Sequence, residues 1–315
     1  MRTLAVFGSC SAAVLLWAGA LPCASGDIFA ARYASSPAEA LIRYADDGSV
    51  VWANSSDMAG VYARGLALRP GTTELLVANV RAPYSNYGNI KRFSAVDGTY
   101  LGDFFPETTP VPYGLAIQGG YVYMSDTGAN DVKRYDLTTG VRDSGFSVAV
   151  SGVRDIEFGP DGKLYAASYN DNAVYAVDVG AQTKTLFATN GQPIQLTWNG
   201  DQLYVDSGAF YPNRVDRYDA SGNDLGTFLD YHIYTSIAGM DFGPSNTFLV
   251  LDYNNGYLRQ YTDNGTSAVN EHTLVTVGQY GAPDAILYSS TIPEAGTVSL
   301  LMIGLAALVR FRRRG

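Results

Sequence analysis

Two groups of side chains in this chain could do chemistry. The first is a set of carboxylates, Asp155, Glu157, Asp241 and Asp284, each in or beside a short apolar run. Oxygen-only donors of this kind suit Ca²⁺, so the four would make a calcium site if the fold brought them together. The second is a set of aromatics in polar surroundings: Tyr84, Tyr87, Tyr113, Tyr169, Phe210, Tyr211, Tyr234 and Tyr253. An exposed tyrosine offers apolar area and a hydroxyl at low entropic cost, which makes it a contact residue. Other chemistries are poorly supplied. The histidines are His232 and His272, and both cysteines, Cys10 and Cys23, lie near the N-terminus, so zinc ligands are scarce. There is no Gly-x-Ser-x-Gly elbow, P-loop or dinucleotide fingerprint. Asp126-Thr127-Gly128-Ala129-Asn130-Asp131 lacks the spacing of a calcium loop and reads as an Asx turn.

What could position these groups is clearest between Gly114 and Phe146. That stretch reads as four short strands, Gly114–Gln118, Tyr121–Asp126, Val132–Asp136 and Val141–Phe146, separated by tight turns. Turns this short join antiparallel neighbours. The unit recurs. A small residue, two or three apolar residues and a Gly-rich turn open it, as in Gly65-Leu66-Ala67-Leu68 and Gly239-Met240-Asp241-Phe242. A basic or polar residue with an aromatic comes later in the unit: Arg43-Tyr44, Arg92-Phe93, Arg134-Tyr135, Arg217-Tyr218, Gln260-Tyr261. The period of about 40–49 residues lies in the range of radially repeated β-sheets. Such sheets cannot bury their faces alone but can bury them against each other.

The first unit lacks an opening strand, and Asp284–Tyr288 is an opening strand with no unit after it. The expected fold is therefore an all-β, six-bladed β-propeller of four-stranded antiparallel blades, with Asp284–Tyr288 completing the N-terminal blade. The pattern over Asp27–Ser289 resembles six-bladed propellers of the NHL-repeat and gluconolactonase type. The resemblance implies a channel lined by opening strands, with a metal held there by acidic and Asn side chains in the lactonases. The four carboxylates are the residues of this chain that such a channel would gather. The enlarged connections Arg81–Asn89 and Ser207–Asn213, with their aromatics, would stand on one face.

The ends of the chain read as addresses. Residues 1–26 have a basic start at Arg2, an apolar run Leu4–Leu21 and small residues Cys23-Ala24-Ser25-Gly26 for cleavage, the layout of a signal peptide. Residues 290–315 carry Pro293-Glu294-Ala295, an apolar run Val298–Val309 and the basic Arg310-Phe311-Arg312-Arg313-Arg314. This tripartite tail resembles the PEP-CTERM sorting signal, with Ala295 where the usual motif repeats Pro. The resemblance implies transient anchoring in the inner membrane by the apolar helix, and processing by an exosortase-like enzyme after export. Between these addresses the body, residues 27–289, carries a net charge of about −13, which disfavours nucleic acid as a partner. The function expected is a non-enzymatic, exported surface module that binds polysaccharide or another surface protein. The alternative is a metal-dependent hydrolase or lyase of the lactonase type, using the channel carboxylates.

Overall fold

The computed structural model describes residues 26–32, 41–58, 61–81, 88–105, 111–207, 214–230, 237–244, 246–252, 256–276 and 283–290. They form six four-stranded antiparallel sheets. Blade one holds β1 (Asp27–Arg32), β2 (Leu41–Ala45) and β3 (Val50–Asn54). Blade two holds β4 (Val61–Leu68), β5 (Glu74–Arg81), β6 (Gly88–Ser94) and β7 (Tyr100–Asp103). Blade three holds β8 (Pro112–Gln118), β9 (Tyr121–Asp126), β10 (Asp131–Asp136) and β11 (Val148–Ala149). Blade four holds β12 (Val153–Phe158), β13 (Leu164–Ser168), β14 (Ala173–Asp178) and β15 (Thr183–Thr189). Blade five holds β16 (Leu196–Asn199), β17 (Gln202–Asp206), β18 (Arg214–Asp219) and β19 (Asp224–Asp230). Blade six holds β20 (Ile237–Phe242), β21 (Thr247–Asp252), β22 (Tyr257–Asp263) and β23 (Ala268–Thr276). The last strand, β24 (Pro283–Ser289), pairs antiparallel with β1, and blade one reads β24-β1-β2-β3. The closure expected from the sequence is therefore the one observed.

The core is distributed around the ring, with a buried apolar cluster between each pair of neighbouring blades. This is why second strands are apolar throughout rather than alternating. In β5, Leu75 and Val77 pack toward blade one while Leu76 and Ala78 pack toward blade three, as a period of two on a sheet buried on both faces requires. The basic–aromatic signature serves the same end. Arg43 is buried, holds Asp27 through two hydrogen bonds of 2.7 and 2.8 Å, and donates to the carbonyls of Ala95 and Val96 in blade two. Arg217 of blade five donates to the Gly265 carbonyl of blade six. Tyr44, Tyr135, Tyr218 and Tyr261 are buried in the clusters.

One expected strand is absent. Val141–Phe146 does not pair as a strand, and the outer strand of blade three is the short β11. Asp143 explains the change: its carboxylate accepts from Gly145 N and from Arg134 Nε and Nη2, curling the chain into a turn that delivers Phe146 to the core. At Asp126 the Asx turn holds, with Gly128 N and Ala129 N donating to its Oδ1.

Candidate functional site at the channel mouth

The innermost strands β4, β8, β12, β16, β20 and β24 line a cavity of about 330 Å³ on the ring axis. These strands run in the same direction and pair on one side only, which leaves backbone groups facing the axis to be satisfied some other way. Where they approach most closely, a side chain has no room. A Cβ on Gly65 would lie 2.2 Å from the Tyr113 carbonyl oxygen, and one on Gly114 would lie 2.7 Å from Asp155 Oδ1. At the equivalent place in blade four the residue is Asp155, whose carboxylate accepts from Ile156 N at 2.9 Å and from Leu196 N of the next blade at 3.2 Å. Two turns of the pleat deeper, the pattern repeats. Glu157 accepts from Trp198 N of blade five at 3.2 Å. Asp241 accepts from Phe242 N and from Tyr288 N of blade one, both at 2.7 Å.

Asp155, Glu157 and Asp241 all line this cavity, and its wall is two-sided. Gln195 and Thr197 join the carboxylates; Leu68, Ile117 and Leu287 form the apolar side. The three carboxylates keep part of their surface open to the cavity but are enclosed by protein otherwise, and that enclosure disfavours their charged forms. Burial pushes Asp155 up to about 7, against the pull of its two backbone donors and with the help of Asp241. Glu157 is raised well above the carboxylate range, first by burial, then by Asp241 and Asp155. Asp241 is raised to about 6 by burial, with its backbone donors and Thr197 opposing. Asp206, at the end of β17, was not picked out by the sequence reading. It accepts from Ile194 N and Gln195 N, and burial raises it to about 7. These oxygens are committed to backbone donors of neighbouring chain segments. They do not present the free, converging ionised oxygens that Ca²⁺ takes. Among the described residues, no three His, Cys, Asp or Glu side chains come together so as to hold a metal ion. The side chain of Asp284 lies outside the described residues, as does His232; His272 stands exposed on β23.

Above this belt the register of the inner strands shifts. The irregularity falls between Ala63 and Gly65, Pro112 and Leu115, Val153 and Ile156, Ile237 and Gly239, and opposite Ala31 and Arg32 in β24. The residues at these bulges include Arg64, Tyr113 and Arg154. Bulges re-aim side chains in this way and recur beside functional sites. Here they build an arc. The Arg64 guanidinium lies 5.2 Å from the Tyr62 ring centre and 5.4 Å from that of Tyr113. The Arg154 guanidinium lies 5.1 Å from Tyr113 and 5.1 Å from Tyr169. Cation and ring alternate across blades two, three and four.

Of the expected contact aromatics, Tyr113 and Tyr169 are brought together here. Tyr113 is buried rather than exposed, and Tyr169 is half-buried just past β13. Tyr84, Tyr87, Phe210, Tyr211, Tyr234 and Tyr253 lie outside the described residues. Arg64 and Arg154 were missed in the sequence. The signal was available one residue before Gly65 and Asp155, but it depends on the bulge to matter.

No family model matches the chain, and a search of curated proteins finds no relative. Solved structures do share the fold. A chain of a nidogen/laminin complex superposes with a TM-score of 0.67 at 14% identity, covering 84% of this chain and 98% of that one. A catalytically inactive virginiamycin B lyase from Staphylococcus aureus, with quinupristin, gives 0.53 at 15% identity, covering 68% and 70%. A chain of a mitotic checkpoint complex gives 0.54 at 13%, covering 87% and 88%. Binding partners and an enzyme share this architecture, and at such identities the likeness carries the fold alone.

Proposed function

We propose that this protein is an exported, surface-held propeller that binds polysaccharide through the channel-mouth face and does not turn it over. The observation that carries this reading is the arc Tyr62–Arg64–Tyr113–Arg154–Tyr169, in which ring and guanidinium alternate across three neighbouring blades. Rigid strands holding aromatic groups beside long connections make a binding surface. The export half of the proposal rests on the two terminal addresses, with an exosortase-like enzyme acting on the C-terminal one.

The experiment is retention of the purified full chain on matrix polysaccharide, with Tyr84, Tyr169 and Tyr211 changed to Ala. Retention is expected to fall at least about tenfold with the unfolding temperature little changed. A wild-type chain that is not retained would remove the proposal. A second reading, a metal-dependent hydrolase or lyase, is favoured by one observation: Asp155, Glu157 and Asp241 face a single cavity. Metal analysis after dialysis separates the two readings. No tightly held divalent ion is expected, and one ion per chain would put the hydrolase first.

A further inference from the structure

We infer that the channel-mouth face selects acidic polysaccharides, and that Arg154 is the group that reads the sugar carboxylate. The inference rests on the binding-module reading above and names its ligand class.

The body of this protein is rich in acid, and its enclosed cations are mostly neutralised. Arg43 pairs with Asp27, Arg69 and Arg92 with Glu74, Lys133 with Asp126, Arg134 with Asp143, and Arg214 with Asp216. Arg154, like Arg142, has no carboxylate partner among the described residues, and its Nε is sealed from solvent without a hydrogen-bond partner; what sets Arg154 apart is its place beside two rings at the start of β12. Its position is nevertheless well defined. The backbone around it is fixed by the bulge of β12 and by the Ser125 hydroxyl, which donates to the Arg154 carbonyl. The guanidinium lies between the rings of Tyr113 and Tyr169 at 5.1 Å from each. An unpaired cation held in place amid surplus acid is an arrangement suited to an anion that arrives with the ligand.

The chemistry narrows the anion. A guanidinium offers a planar fork of donors that matches a carboxylate in two-point contact, which an ammonium cannot do. The half-buried Tyr169 ring beside it offers an apolar face of the kind that sugar rings pack against. Cation and ring alternate along the arc, so the matching polymer alternates too, with apolar ring faces separated by carboxylates. A uronate polymer has that form.

The test compares polygalacturonate with its fully methyl-esterified form, which keeps the backbone and removes the charge. Titration calorimetry on the full chain is expected to give at least tenfold tighter binding to the acid form, weakening as salt is raised. Arg154→Gln should bring the two polymers within twofold of each other, because binding of the acid form falls at least fivefold further than binding of the ester. Arg154→Lys should restore only part of the preference, because charge returns without the fork; its unfolding temperature checks the fold. Equal affinity of the wild type for both polymers overturns the inference, as does an acid preference that survives Arg154→Gln. Binding to neither polymer, with other matrix polysaccharide still retained, overturns this inference alone. Loss of all retention takes the binding-module reading with it.

Discussion

At the scale of the residue, the acids of this propeller behave in two opposed ways. Asp155, Asp206 and Asp241 hold their protons to between about 6 and 7, and Glu157 is raised further, all chiefly through burial. Asp47, Asp97, Asp136, Asp143 and Asp219 are pulled below the usual range, each first by a hydrogen bond: Ser49, Ser94, Thr139, Arg134 and Asn223 respectively. A raised carboxyl binds its proton more tightly in the folded state, so stability falls as pH rises from the unfolded value of about 4 toward 7. A lowered one adds stability above about 4 and loses it as pH falls through the folded value. Both slopes point to a maximum between about pH 4 and 6, and the self-repulsion of an acidic body adds to the decline above it. Thermal unfolding at pH 5 is expected to be several degrees higher than at pH 8. An unfolding temperature that is flat or rising over that range would mean the inner acids are ionised. The sequence singled out three of these acids, Asp155, Glu157 and Asp241, from their place in or beside opening strands. It could not show that they would be used to cap backbone N–H groups of the next blade, because that use depends on how closely the inner strands approach.

At the scale of the element, the contacts between blades are the ones to test. Arg43 reaches from β2 to Asp27 on β1 and to two carbonyls beyond β6, all away from solvent. Changing Arg43 to Met takes from buried Asp27 the guanidinium that pairs with it, and breaking a buried ion pair in this way costs about 3–5 kcal/mol. Changing Asp27 to Leu as well should recover a measurable part of it in chemical denaturation, because the orphaned charge is then gone. No recovery in the double variant would place the cost in the two carbonyl contacts instead. The Arg-Tyr repeat was visible as a pattern, and its buried structural use explains why it recurs. The missing strand at Val141–Phe146 was illegible for a local reason. Strand-like composition was outweighed by one Asp that bonds both a turn N–H and the neighbouring arginine.

At the scale of the molecule, stability depends on closing the ring. Blade one takes its inner strand from the far end of the chain, and the clusters flanking it include Ala285 on one side, with Ile286 packed on the other. Removing residues 283–290 should expose two blade faces and abolish a single cooperative melt followed by circular dichroism. Placing the same residues ahead of Gly26 instead should restore the melt, because closure depends on the strand being present and not on which end supplies it. A cooperative melt in the truncated chain would mean that five complete blades hold without closure.

What the sequence determined by itself was the repeat, the count of blades and the manner of closure. These follow from local patterns, since strands, turns and small-residue openings are written within a few residues of each other. The tertiary structure decided which side chains meet. A one-residue bulge in an inner strand redirects Arg64, Tyr113 or Arg154 toward the channel mouth, and neighbouring blades bring their rings and cations within contact distance. That juxtaposition joins residues about 40 to 50 positions apart along the chain, and only the radial packing of whole blades, driven by burial of their faces, puts them side by side.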